Sequence, residues 1–123
     1  MINEEDYVNF EVAKKLREKG FRELCCRFYR KGGSCDGSPW RFDYNKDLGR
    51  YSRPTLYEAQ KWLREKHNIH LDVRCTAYSK KLERVDYQCE IYKMDSFKYS
   101  ETKIYHKYEE ALNEGILKAL KLI

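Results

Sequence analysis

The chain has 123 residues, the length of one domain, and its composition is 41% hydrophobic and 37% charged. These proportions supply a packed core and argue against a disordered or fibrous chain. No apolar run reaches the roughly 18–20 residues that a membrane-spanning helix needs, so we expect one domain over residues 1–123 and no membrane partner.

The first helix is predicted by a cap, an apolar stripe and a stop. Asn9 can accept the free backbone amides of a first turn, and Gly20 suits the left-handed conformation that ends a helix. Apolar residues at helical spacing lie between them. The sequence therefore predicts a helix over Phe10–Lys19.

Two strands are expected next. Alternating side chains predict one over Glu23–Arg30, and aromatic residues predict another over Pro39–Tyr44. On the second strand one face should carry three rings, those of Trp40, Phe42 and Tyr44. Residues 45–54, with Asn, Gly and Pro, are expected to form a loop.

The second helix has the clearest start signal. Thr55-Leu56-Tyr57-Glu58 has the capping-box pattern, in which the threonine hydroxyl and the glutamate carboxylate each satisfy a backbone amide of the first turn. An apolar stripe follows, and Asn68 is suited to a left-handed stop. These signals predict a helix that ends near residue 67.

Two runs of strict alternation follow the second helix. Their apolar members are Leu71, Val73, Cys75 and Ala77 in the first run, and Val85, Tyr87, Cys89 and Ile91 in the second. Such alternation predicts antiparallel strands with one buried and one wet face. A further strand over Phe97–Tyr105 and a final amphipathic helix over Tyr108–Leu122 complete the chain.

The elements together predict an α+β fold in the order α-β-β-α-β-β-β-α. Because the strands alternate and the helices each have one apolar stripe, we expect an antiparallel sheet with helices packed on one face.

Basic and aromatic residues are interleaved in segment 27–53. This pattern suits an anionic ligand with stackable rings, such as a nucleotide or a nucleic acid. A solvated hairpin whose rings pack on the core is the structural alternative. The candidate ligand-binding residues are Arg27, Arg30, Lys31, Trp40, Arg41 and Tyr44.

Tyrosine is the most unusual component, with 11 residues. Exposed tyrosines offer large, stiff contact area and are common on binding surfaces, although they also cover sheet edges. Tyr78 and Tyr92 fall on the polar sides of their strands. We therefore expect the open sheet face to be a candidate surface for a protein partner or for self-association.

The sequence lacks the common signatures of phosphate, dinucleotide, hydrolase and zinc-protease sites. His67 and His70 form an H-x-x-H without a second ligand pair, so neither a metal nor another cofactor is expected. The five cysteines form an odd set with irregular spacing, and the acidic N-terminus does not resemble a signal peptide. These features favour reduced thiols and a cytoplasmic location.

Three segments carry a resemblance to other proteins. They are YVxFExAKxLxEKGF over residues 7–21, PTLxxAQKWLRExHxI over 54–69, and YEEALxxGILxALKLI over 108–123. They resemble a group of short uncharacterised proteins from Bacteroides-type gut bacteria and from their phages and mobile elements. The resemblance implies a small accessory protein and carries over no activity and no site residue.

The sequence thus predicts a non-enzymatic interaction protein that binds a protein partner, or itself, through an aromatic-rich sheet surface. The alternative is a binder of nucleotide or nucleic acid through segment 27–53.

Overall fold

The computed structural model describes residues 3–123. Its helices are α1 (Phe10–Glu18), α2 (Leu56–His67) and α3 (Tyr108–Leu120). Its strands are β1 (Cys25–Arg30), β2 (Cys35–Phe42), β3 (Arg50–Ser52), β4 (Ile69–Ser79), β5 (Arg84–Lys93) and β6 (Lys98–Glu101). Contacts divide the chain into two compact units, the first ending at Ala59 and the second formed by Gln60–Ile123.

The predicted α+β class and the order of the helices and main strands are confirmed. The strands form two three-stranded antiparallel sheets, one in each unit. The expectation of a loop over residues 45–54 is wrong at Arg50–Ser52, because this segment pairs with β1 and forms β3. The pairing of Arg50–Ser52 with β1 joins residues that are distant in sequence, so the local loop pattern could not predict it.

In the first unit, the sheet order is β2-β1-β3 and α1 packs against this sheet. The Asn9 side chain accepts the Val12 amide at 3.0 Å, which confirms the predicted cap. The Phe10 ring lies 5.4 Å from the Tyr29 ring and 5.9 Å from the Tyr51 ring, both in edge-on geometry. Aromatic packing therefore holds α1 against β1 and β3.

Strand β2 lies earlier than predicted. It covers Cys35–Phe42 rather than Pro39–Tyr44, and Tyr44 begins a short 3-10 turn instead of extending the strand. Cys25 pairs with Phe42 but Arg27 pairs with Gly37, so two steps along β1 correspond to five along β2. The intervening residues 38–41 bulge out of the ladder, and the expected single face for Trp40, Phe42 and Tyr44 is not formed.

Helix α2 begins as predicted. The Glu58 amide donates to the Thr55 hydroxyl at 3.1 Å, and the Thr55 amide donates to the Glu58 carboxylate at 3.0 Å. After the helix, Asn68 adopts φ 52°, the left-handed stop expected from the sequence.

In the second unit, α3 lies on β4 and β5 of a sheet with the order β4-β5-β6. The buried residues of α3 include Leu112, Ile116 and Leu120, and those of the strands include Cys89 and Ile91. None of the helices described within residues 3–123 is long and apolar enough to span a membrane.

Helix α3 approaches β5 so closely at Gly115 that no side chain fits there. A Cβ on Gly115 would lie 2.9 Å from the Cys89 Cβ and nearer still to its Sγ. Because both backbones belong to regular elements, neither can move away cheaply.

We expect Gly115→Ala to lower the free energy of unfolding by about 1–3 kcal/mol through overpacking. Urea denaturation measures the change, and Gly49→Ala is the control because nothing lies within 4 Å of a Cβ at Gly49. Adding Cys89→Ala to the Gly115→Ala variant should recover part of the loss. An unchanged unfolding midpoint in Gly115→Ala would show that the helix and strand are not packed this closely.

Candidate binding cavity in the first unit

The first unit contains an open cavity of about 470 Å³ on the face of its sheet where Phe28 lies. This volume is within the 300–1,000 Å³ range of small-ligand pockets. Aromatic side chains of Phe28, Phe42 and Tyr44 line it, together with Leu24 and Ser38. The charged lining residues are Arg41, Asp43, Lys46, Asp47 and Arg50.

The aromatic side chains that form the floor of the cavity, Phe28, Phe42 and Tyr44, pack against one another. The Tyr44 ring centroid lies 4.6 Å from that of Phe28 and 5.8 Å from that of Phe42. Tyr44 is only 3% exposed, and its buried hydroxyl has no hydrogen-bond partner among the described residues. Burial raises the pKa of the Tyr44 phenol, which therefore stays neutral at physiological pH.

The turn that holds Tyr44 is fixed by hydrogen bonds to β3 and to the segment after α1. The Tyr44 amide donates to the Ser52 hydroxyl at 3.0 Å, and the Ser52 amide donates to the Asn45 side-chain oxygen at 2.9 Å. The Asn45 side chain also donates to the Phe21 carbonyl at 2.7 Å. Because these bonds are buried, they hold the cavity floor in one position.

Arg50 covers the floor of the cavity. Its guanidinium carbon lies 5.1 Å from the Phe28 ring centroid and 5.1 Å from that of Tyr44, within cation–π distance of both. Its side chain pairs with Asp47. Arg17 of α1 donates to the Arg50 carbonyl at 2.6 Å and also to the Asp47 carbonyl, which ties this segment to the helix.

Arg41 lies at the cavity wall and is already paired. Its guanidinium donates to the Leu24 carbonyl at 2.6 Å and to the Glu58 carboxylate at 2.8 Å. Glu58 is thus shared between the capping box of α2 and Arg41. Burial opposes the ionisation of Glu58, but the hydrogen bonds from Thr55 and Arg41 outweigh it and lower its pKa.

Arg27 does not reach the cavity, because alternation along β1 directs it to the opposite face from Phe28. Its guanidinium pairs with Glu4 at 2.9 Å and lies 4.8 Å from the Tyr7 ring centroid. Arg53 lies on the same face and is buried there, with 6% of its side chain exposed. The structure therefore does not bring Arg27 together with Arg41 and Tyr44 at the cavity.

Arg53 is a buried charge of the first unit. It donates to the Glu4 carboxylate at 2.8 Å and to the Val8 carbonyl at 3.3 Å. Its guanidinium carbon also lies 5.0 Å from the Tyr7 ring centroid and 4.8 Å from that of Tyr29. The hydrogen bond and charge of Arg53 hold the pKa of the Glu4 carboxyl below its ordinary value.

The other three predicted residues lie outside the cavity lining. Arg30 pairs with Asp36 at 2.7 Å, and its guanidinium lies 5.5 Å from the Phe28 ring centroid. Lys31 is exposed in the turn after β1. Trp40 lies on the bulged segment of β2 and is 71% exposed. The structure thus brings together Arg41 and Tyr44 of the six predicted residues.

Lys46, Arg50 and Phe42 are cavity residues that the sequence analysis did not select. All three belong to the basic and aromatic segment 27–53, so composition pointed to the right region. For Arg50 the missing information is β3, because the pairing of Arg50 with Arg30 places it beside the cavity.

Tyr78 and Tyr92, which the sequence placed on one open face, lie on opposite faces of the second sheet. An extra residue bulges from β4 between Cys75 and Ala77, so Tyr78 pairs with Val85. Directly opposed residues share a face, and Tyr78 therefore joins the face of Val85. Tyr92 lies on the other face, where its ring centroid is 5.2 Å from that of Tyr99.

The buried thiols are unsuited to nucleophilic chemistry. Burial raises the pKa of Cys25 to about 12 and that of Cys89 to about 12, so both are protonated at neutral pH. Within residues 3–123, no group of His, Cys, Asp and Glu side chains has a metal-holding arrangement.

Comparison with protein-family models, with curated proteins and with solved structures found no match for this chain. The cavity of the first unit is therefore interpreted from its own chemistry.

We expect Glu58→Gln to lower the free energy of unfolding at neutral pH by about 0.5–1 kcal/mol, because it removes a partly exposed ion pair. The lowered pKa of Glu58 means that this contribution is present above the unfolded carboxyl pKa of 4.5 and is lost as pH falls through the folded value. The difference between the two proteins should therefore shrink in acid.

Urea denaturation across an acidic pH series measures this difference. Glu65→Gln is the control, since Glu65 lies 3.9 Å from Lys61 on the exposed side of α2. A pH-independent difference for Glu58→Gln would contradict the ion pair with Arg41.

Proposed function

We propose that the protein is a non-enzymatic binding protein whose first unit holds a peptide segment with an aromatic side chain within two residues of an acidic one. One observation carries this proposal: the half-exposed Phe42 and the cation Lys46 line the same aromatic cavity. The interaction surface predicted from the sequence thereby moves to the sheet of the first unit.

The apolar part of the cavity favours a ring as occupant. Phe42 is 49% exposed and stands beside the exposed Leu24 on the lining. Trp40 is also largely exposed, on the neighbouring bulge outside the cavity lining. Large apolar side chains gathered at a concave site are typical of protein contact surfaces, where aromatic anchors supply most of the binding energy.

The charged side chains of the cavity lining favour an anionic group in the ligand. Arg41, Lys46 and Arg50 give three positive charges against two from Asp43 and Asp47. Arg41 and Arg50 already have acidic partners. The Lys46 ammonium has no ion pair or hydrogen bond with any described residue, so an incoming carboxylate would find it available.

A cytoplasmic location and an origin in a bacterium, phage or mobile element stay predictions of the sequence and complete the proposal.

The proposal predicts which peptides a randomised display library will yield on the immobilised protein. Selected peptides should share an aromatic residue within two positions of Asp or Glu. Their affinity, measured by fluorescence polarisation, should fall about tenfold in Phe42→Ser and in Lys46→Glu, a loss of about 1.4 kcal/mol.

Tyr57→Ser is the matched control, since Tyr57 is a similarly exposed aromatic of the first unit that does not line the cavity. Peptides without this composition, or peptides that bind Phe42→Ser as well as the native protein, would contradict the proposal.

A nucleotide is the second candidate ligand. It is favoured by the Arg50 guanidinium over two rings, a geometry that can stack on a base, and by the cations Arg41 and Lys46 at the wall. The same cavity would then hold the base and the phosphate.

For this candidate, calorimetric titration with mononucleotides and short oligonucleotides should show binding that weakens with salt. Arg41→Ala should weaken it by about fivefold or more, whereas Arg30→Ala should not, because Arg30 lies outside the cavity lining. Equal losses in both variants, or no binding, would exclude the cavity as a nucleotide site.

A further inference from the structure

The turn between β5 and β6 displays an aromatic side chain at a backbone cost. Phe97 adopts φ 54°, in the left-handed region, and is 91% exposed. A bulky residue is rare in this conformation, where Gly or Asn is usual. Glu83 adopts φ 49° in the β4–β5 turn, so this backbone conformation belongs to the hairpin turns of the sheet. The ring of Phe97 is what distinguishes the β5–β6 turn: it adds nothing to the core and is available for a contact outside the second unit.

Neighbouring residues give the turn a definite chemistry. Met94, in the same turn, is also exposed. Asp95 is exposed, and no ion pair or hydrogen bond joins it to any described residue. We call residues 94–97 the hairpin tip; it presents one aromatic ring and one uncompensated carboxylate.

The hairpin tip has the chemistry that the cavity of the first unit is proposed to bind. The Phe97 ring can pack against the aromatic lining of the cavity, and the Asp95 carboxylate can pair with the Lys46 ammonium. Asp95 and Lys46 are the complementary charges that remain without described partners on the two surfaces. The cavity of about 470 Å³ has room for one aromatic side chain with its flanking backbone.

We infer that a second copy of the chain is a partner: Phe97 of one copy enters the cavity of another, where Asp95 pairs with Lys46. This inference rests on the proposed function of the cavity. Because the two contact surfaces are different, the contact is head-to-tail and builds rings or open chains of copies.

Sedimentation velocity over a wide range of protein concentration tests the inference. The native protein should associate as concentration rises, and Phe97→Asn should weaken association about tenfold or more. Asparagine suits the left-handed backbone, so this variant should fold at least as well as the native chain. Leu82→Ser, in the other hairpin of the same sheet, is the exposed apolar control and should associate normally.

A charge exchange identifies the receptor surface. Asp95→Lys alone places two lysines in the contact, and Lys46→Asp alone places two aspartates there, so each variant by itself should stay monomeric. A mixture of the two should associate, since every tip then finds a cavity of opposite charge.

A native protein that stays monomeric throughout would overturn the inference, as would association that is indifferent to Phe97→Asn or to the charge exchange. If library peptides still bind the cavity in that case, the proposed function stands and only the second copy is excluded. If no peptide binds and no association occurs, both fail together.

Discussion

The buried guanidinium of Arg53 is the interaction on which the first unit depends. It joins the Glu4 carboxylate and the Val8 carbonyl to β3 and lies between the rings of Tyr7 and Tyr29. A charge buried to this extent is tolerated only when it is paired and hydrogen-bonded, and removal of its partners leaves a strongly unfavourable group. The residues before α1 and the middle of β1 are therefore held together.

This constraint decides which side of the first sheet is available for binding. Since Tyr29 and Arg27 face Arg53 and Glu4, alternation along β1 places Phe28 on the other side, under Arg50 and beside Tyr44. The positive charge of segment 27–53 is divided in the same way. Arg27 and Arg53 form ion pairs with Glu4 on one face of the sheet, whereas Lys46 lines the cavity on the other.

Signals between residues close in sequence predicted most of the helices and strands. The candidate site was predicted less well, because it depends on how strands distant in sequence pair with one another. The cap at Asn9 and the capping box at Thr55 depend on residues three apart, so the starts of α1 and α2 were predictable. The bulges in β2 and β4 depend on how each strand meets its partner. The first bulge takes Trp40 out of the ladder and the second moves Tyr78 to the other face, and the sequence pattern carries no signal of either.

The most direct test is a measurement of the arginine side chains by nitrogen-edited nuclear magnetic resonance. Our account predicts that the Nε proton of Arg53 exchanges slowly with water and shows nuclear Overhauser contacts to the rings of Tyr7 and Tyr29. A rapidly exchanging Arg53 signal without ring contacts would mean that this guanidinium lies in solvent. The division of β1 into a structural face and a binding face would then have no physical basis.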